Sequence, residues 1–183
     1  PESRSLLEFI GTVTIPVRTR PFIAKEKFVV NQAKDAPIRI EYFNPEFFSW
    51  FLEGDGKIEN PARLLDGQIL ETTLRYYRTC GILTTMMIIK KLNGEKTSKA
   101  TVSEMFAFIE EPGEERSEAT LSEMFALMEK QKKGEDGVLL NDSNGNIFSI
   151  RDRDGILRSV SIDYGGDGWN IFARPVNYLE DNE

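Results

Sequence analysis

The chain contains no histidine, and that absence removes a large part of enzyme chemistry. Serine and cysteine nucleophile systems take their general base from an imidazole that titrates near neutrality, and most catalytic zinc and non-haem iron sites need imidazole ligands. What stays open to an enzyme is carboxylate chemistry, a Ser-Lys pair, a tyrosine, or magnesium held by Asp and Glu. No cofactor is expected. The purified protein should carry no stoichiometric zinc or iron at neutral pH, and elemental analysis finding a metal ion for each chain would overturn that.

Cysteine is almost as scarce. The single Cys80 excludes an internal disulfide framework and points to a reducing compartment, so a cytoplasmic location is expected. Beside Gly81 it could act as a reactive thiol, but with no imidazole to lower its pKa a small packed side chain is the preferred reading. Long apolar runs are missing too. Nothing approaches the roughly 18 residues of a membrane span, and the stretch Leu6 to Val17 is broken by Glu8 and Gly11 and lacks the basic flank and cleavage site of a signal peptide. No membrane association is expected.

Positive charge is in deficit, with 23 Lys and Arg against 30 Asp and Glu and a net charge of −7. Phosphate neutralisation wants a clustered basic face, so no nucleic-acid partner is expected. The deficit is uneven: Arg4, Arg18, Arg20, Lys25, Lys27, Lys34 and Arg39 outnumber the acids of residues 1–40. A solvated strand pair is the preferred reading of that surplus, and a docking surface for an acidic partner is the alternative.

What is present describes an ordinary globular chain. Its 183 residues are 40% hydrophobic and 29% charged, long enough to bury about 70% of the unfolded surface without a disulfide or metal. The pattern predicts one α+β domain over 1–183: antiparallel sheet with a few short helices and a C-terminal β-meander. It subdivides into N-terminal strands plus an aromatic helix (1–92), duplicated capped helices (93–133) and the meander (134–176).

Val13, Ile15 and Val17 alternate with polar positions, and Phe22 to Val30 is rich in β-branched and aromatic residues, which predicts a hairpin. Ile38 to Tyr42 alternates as a half-buried strand. Asn44-Pro45-Glu46 is a helix start, with an N-cap acceptor, proline at the first helical position and an acid in the first turn; Gly54 is placed to end it. Phe47, Phe48, Trp50, Phe51 and Leu52 crowd this helix, where core packing is preferred over a ligand pocket. Thr73 to Tyr77 and Thr84 to Ile89 read as further strands.

The clearest feature is a tandem repeat. Gly94 to Glu110 recurs nineteen residues later as Gly113 to Glu129, and each copy holds a Thr-x-x-Glu capping box, Thr101 with Glu104 and Thr120 with Glu123. Val102, Met105, Phe106 and Ile109 in the first copy, and Leu121, Met124, Phe125 and Met128 in the second, fall on one helical face. Two short helices, Thr101 to Glu110 and Thr120 to Glu129, are therefore expected. Core packing of both is preferred, but Met-rich apolar faces also serve adaptable recognition, so Met105, Phe106 and Ile109 are the candidate interaction surface of the extra copy.

Gly137 to Asn141, Asn146 to Asp152, Ile156 to Asp163 and Trp169 to Arg174 are strand-like runs. They are separated by Asn144-Gly145, Asp154-Gly155 and Gly165-Gly166-Asp167-Gly168, which supply the positive φ of hairpin turns. Helix is not expected across 146–163, and Trp169 should be at least partly buried. Neither acidic turn has the spacing or terminal Glu of a calcium loop, and the glycine cluster lacks the Lys-Ser or Lys-Thr of a phosphate cradle.

Together, Ala36-Pro37-Ile38-Arg39-Ile40, the run Ala119 to Lys130, Gly134-Glu135-Asp136-Gly137, and Asn146-Ile147-Phe148 through Gly168-Trp169 resemble a family of short proteins of candidate-phyla-radiation bacteria. The resemblance spans most of the chain, which departs from the pattern by its extra copy at 94–111. It implies no activity and no site residues. A non-enzymatic protein-binding module is the preferred function, a carboxylate-dependent enzyme the alternative, and an acidic mimic of nucleic acid a lesser one, because 23 basic residues interrupt the acids. Convergent acids with raised pKa values would mark the enzyme, and a flat or grooved apolar patch the binder.

Overall fold

The computed structural model describes residues 7–16, 18–30, 36, 38–60, 71–79, 104–108, 118–141 and 145–176. The expected strand Thr84 to Ile89, Cys80, Ile109 and Asn144 lie outside them. The architecture is α+β, built on a seven-stranded mixed sheet in the order β1-β5-β6-β7-β8-β9-β3, with a two-stranded ribbon β2-β4 beside it. The strands are β1 Leu7–Pro16, β2 Phe22–Ile23, β3 Ile40–Phe43, β4 Ile58–Glu59, β5 Glu71–Thr79, β6 Glu104–Phe108, β7 Asn146–Arg151, β8 Leu157–Tyr164 and β9 Trp169–Pro175. Among the described residues three helices accompany them: α1 Ala24–Lys27, α2 Pro45–Phe47, which runs on into a π-helical turn Phe48–Leu52, and α3 Leu121–Lys130.

From Asn146 onward the chain matches its pattern. β7, β8 and β9 form an antiparallel meander. Gly155 at φ 81° and Gly166 at φ 86° adopt the left-handed conformation the two turns require. Trp169 is fully buried, and its indole N–H donates to the Gln131 carbonyl at 3.1 Å. The aromatic helix also begins as expected: Asn44 Oδ1 accepts from the Phe47 N–H at 3.1 Å, and Pro45 occupies the first helical position. Asn44 does more than cap, because it exchanges hydrogen bonds with both backbone groups of Ala173 and so fastens α2 to β9.

Three expectations fail, each for a physical reason. The run Phe22 to Val30 is not a strand paired with β1. Only Phe22–Ile23 is extended, and it pairs with β4, while β1 pairs with β5. A continuous strand would place Glu26 on the same face as Phe22, Ala24 and Phe28. The helical turn α1 instead leaves Lys25, Glu26 and Lys27 exposed while those three apolar side chains are buried.

Gly137 to Asn141 is not a strand either. Side-chain amides take the place of a ladder: Gln131 accepts from the Leu139 N–H and donates to its carbonyl, and Asn146 does the same for Leu140. Leu139 is buried by this arrangement.

The third correction concerns the repeat. The second copy forms the expected helix, with Thr120 accepting from the Glu123 N–H at 3.2 Å and Glu123 from the Thr120 N–H at 2.7 Å. The first copy does not. Glu104–Phe108 is strand β6, antiparallel to β5 and parallel to β7. Ser-Glu-Met-Phe-Ala is thus spelled in both a strand and a helix. Hydrogen bonds explain the override: a helix at 104–108 would leave the facing edges of β5 and β7 without partners, and those groups outweigh one capping box.

One face of the sheet carries the core. Ile15, Leu74, Phe148, Ile150, Val160, Ile162, Trp169, Ile171 and Ala173 form a single buried cluster with Leu121, Met124, Phe125, Leu127 and Met128 of α3. Phe22, Phe28, Phe47 and Phe51 belong to the same cluster, with the Phe22 and Phe28 rings against Phe125. Burying each such side chain contributes about 1.5–3 kcal/mol, which is why a helix as short as α3 persists.

Glu59 fixes where α3 begins. Its carboxylate accepts the N–H groups of Leu121 and Ser122 at 2.8 and 2.9 Å, completing what the capping box leaves open. Replacing Glu59 by alanine strands both donors and should lower stability by about 1–3 kcal/mol in denaturant unfolding. A loss within about 0.5 kcal/mol would mean that water serves the helix end as well.

Candidate functional site

Strand alternation divides the sheet into the face just described and an opposite face, called the open face below, on which Phe9 and Tyr42 are exposed, Tyr77, Ile147, Ser161 and Phe172 are half-buried and Ser149 is buried. Register assembles the open face from residues far apart in sequence. Phe9 lies opposite Tyr77, Tyr77 opposite Met105, Met105 opposite Ile147, Ile147 opposite Ser161, and Ser161 opposite Phe172. This continuous row crosses six strands, roughly 24 Å at the usual strand spacing.

The row extends to the seventh strand because of an irregularity. β3 shifts register between Ile40 and Tyr42, so Ile40 is buried against the core while Tyr42 is 44% exposed. The Tyr42 ring stands 5.7 Å from that of Phe172. At the other end Phe9, 53% exposed, meets Tyr77 edge-on at 5.6 Å, and the Arg75 guanidinium lies 5.8 Å from the Phe9 ring centre. Aromatic clusters therefore flank both ends. A second row runs beside the first: Thr12 faces Arg75 across β1 and β5, and Ser149, Ser159 and Arg174 follow one another across β7, β8 and β9.

Of the residues singled out in the repeat, Met105 falls in the open-face row. Phe106 falls in the adjacent register row, between Tyr76 and Phe148. The helical face that was to unite them with Ile109 does not form. Phe9, Tyr77, Ile147 and Phe172 were not identified from sequence. Alternation within each strand was visible, but strand order was not, and only the order places them side by side.

The ionisable clusters lie elsewhere. Asp152, 3% exposed, accepts from the N–H groups of Asp154 and Ile156 at 2.9 Å each, and from Arg158 Nε at 2.8 Å. Burial works against its charge, but the guanidinium and the two N–H groups outweigh it and hold the carboxyl below the usual aspartate range. Arg158 in turn lies 3.9 Å from the Trp50 ring centre. Lys57 Nζ sits 3.7 Å from Glu59 and donates to the Arg151 carbonyl. Burial pushes its amine down against the pull of Glu59. Glu135 is also held low, chiefly by the Lys133 N–H.

The displaced carboxyls among the described residues are thus shifted downward, opposite to what a general acid at neutral pH requires. Also among the described residues, no three Cys, Asp or Glu side chains gather closely enough to hold a metal ion, and no helix is long and apolar enough to cross a membrane. No family model, curated protein or solved structure matches this chain.

Proposed function

We propose that the chain is a non-enzymatic protein-binding module, of the family its motifs resemble, that engages a partner through the open face of its sheet. The observation that carries this reading is the row from Phe9 to Phe172, closed by Tyr42. It sets Phe9, Tyr77, Ile147 and Phe172, with Tyr42 beside Phe172 and Ser161 interposed, on the face that α3 does not cover. Interfaces are enriched in Tyr, Phe, Met and Arg, and a solvated sheet face needs none of them for folding. Phe9 and Tyr42 in particular leave about half their surface in water, a cost that contact with a partner would remove.

The test is retention of proteins from native cell extract, identified by mass spectrometry, on wild-type protein and on Phe9→Asp, Phe172→Asp and Ile156→Asp. Ile156 is as exposed as Phe9 but sits in the turn between β7 and β8. A defined set of proteins retained by the wild type and by Ile156→Asp, and lost from both open-face variants, is the expected result. If all four baits retain the same proteins, the reading fails.

A further inference from the structure

We draw no further inference here: the strongest candidate, the partly exposed row on the open face of the sheet from Phe9 to Phe172 with Tyr42 beside it, belongs to the surface already described, and nothing in the structure shows what covers it.

Discussion

Phe125→Ala is expected to cost about 3–5 kcal/mol in denaturant unfolding, a large part of the ~5–15 kcal/mol that holds a typical domain together. Phe125 is 5% exposed and joins three parts of the chain. Its ring lies 5.6 Å from Phe22 and 5.2 Å from Phe28, with Phe28 in turn 5.2 Å from Phe47. Truncation removes the apolar contacts of α3 with the β2 ribbon and the α1 turn together, and two aromatic contacts with them. No neighbour can collapse into the space cheaply, because Phe22, Phe28 and Leu121 are already packed in the same cluster. A measured loss below about 1 kcal/mol would mean that α3 does not pack as described.

The equivalent residue of the other copy makes the comparison informative. Phe106 lies by register between Tyr76 and Phe148, in a row whose described members pack on or within the core. Phe106→Ala is expected to lose as much as Phe125→Ala. A near-neutral result would instead mean that Phe106 does not pack in the core at its register position.

Local chemistry was legible in the sequence wherever one residue type has one cheap use. Asn44-Pro45 starts a helix because an acceptor and a missing N–H suit that end only. Asp154-Gly155 and Gly165-Gly166 turn the chain because glycine tolerates positive φ. The stripe Leu121, Met124, Phe125 and Met128 is buried as read. What local pattern does not contain is the identity of neighbours. Glu104 to Phe108 satisfies both periods: as a helix it offers Met105 with Phe106, and as a strand it separates Met105 and Ala107 from Glu104, Phe106 and Phe108. Only the presence of β5 and β7 on either side decides between them. The amides of Gln131 and Asn146, both buried, were passed over for the same reason: their partners are backbone groups six to eight residues away. The open face is the extreme case, since each of its rows joins residues that only the sheet order brings together.

Asp152→Ala should destabilise the protein by about 3–5 kcal/mol at neutral pH, although Asp152 sits in a surface turn of the meander. Its side chain is 0% exposed and that of Arg158 15%, so removing the carboxylate leaves a guanidinium with little water to replace it, pressed against Trp50. It also strands the N–H groups of Asp154 and Ile156. Asp152→Asn keeps an acceptor for those N–H groups but gives up the charge, and should lose less than the alanine variant.

The pH dependence follows from the direction of the shift. A carboxyl whose folded pKa lies below its unfolded value contributes stability above the unfolded pKa, and that stability is lost as pH falls through the folded one. Asp152 is held low, so its contribution should be complete at neutral pH and decline from about pH 4 downward. Stability of the wild type and of Asp152→Asn, followed by denaturant unfolding from neutral pH into acid, should therefore converge as the pH drops. A gap that stays constant until both proteins unfold would show that the pair acts through shape alone and not through charge.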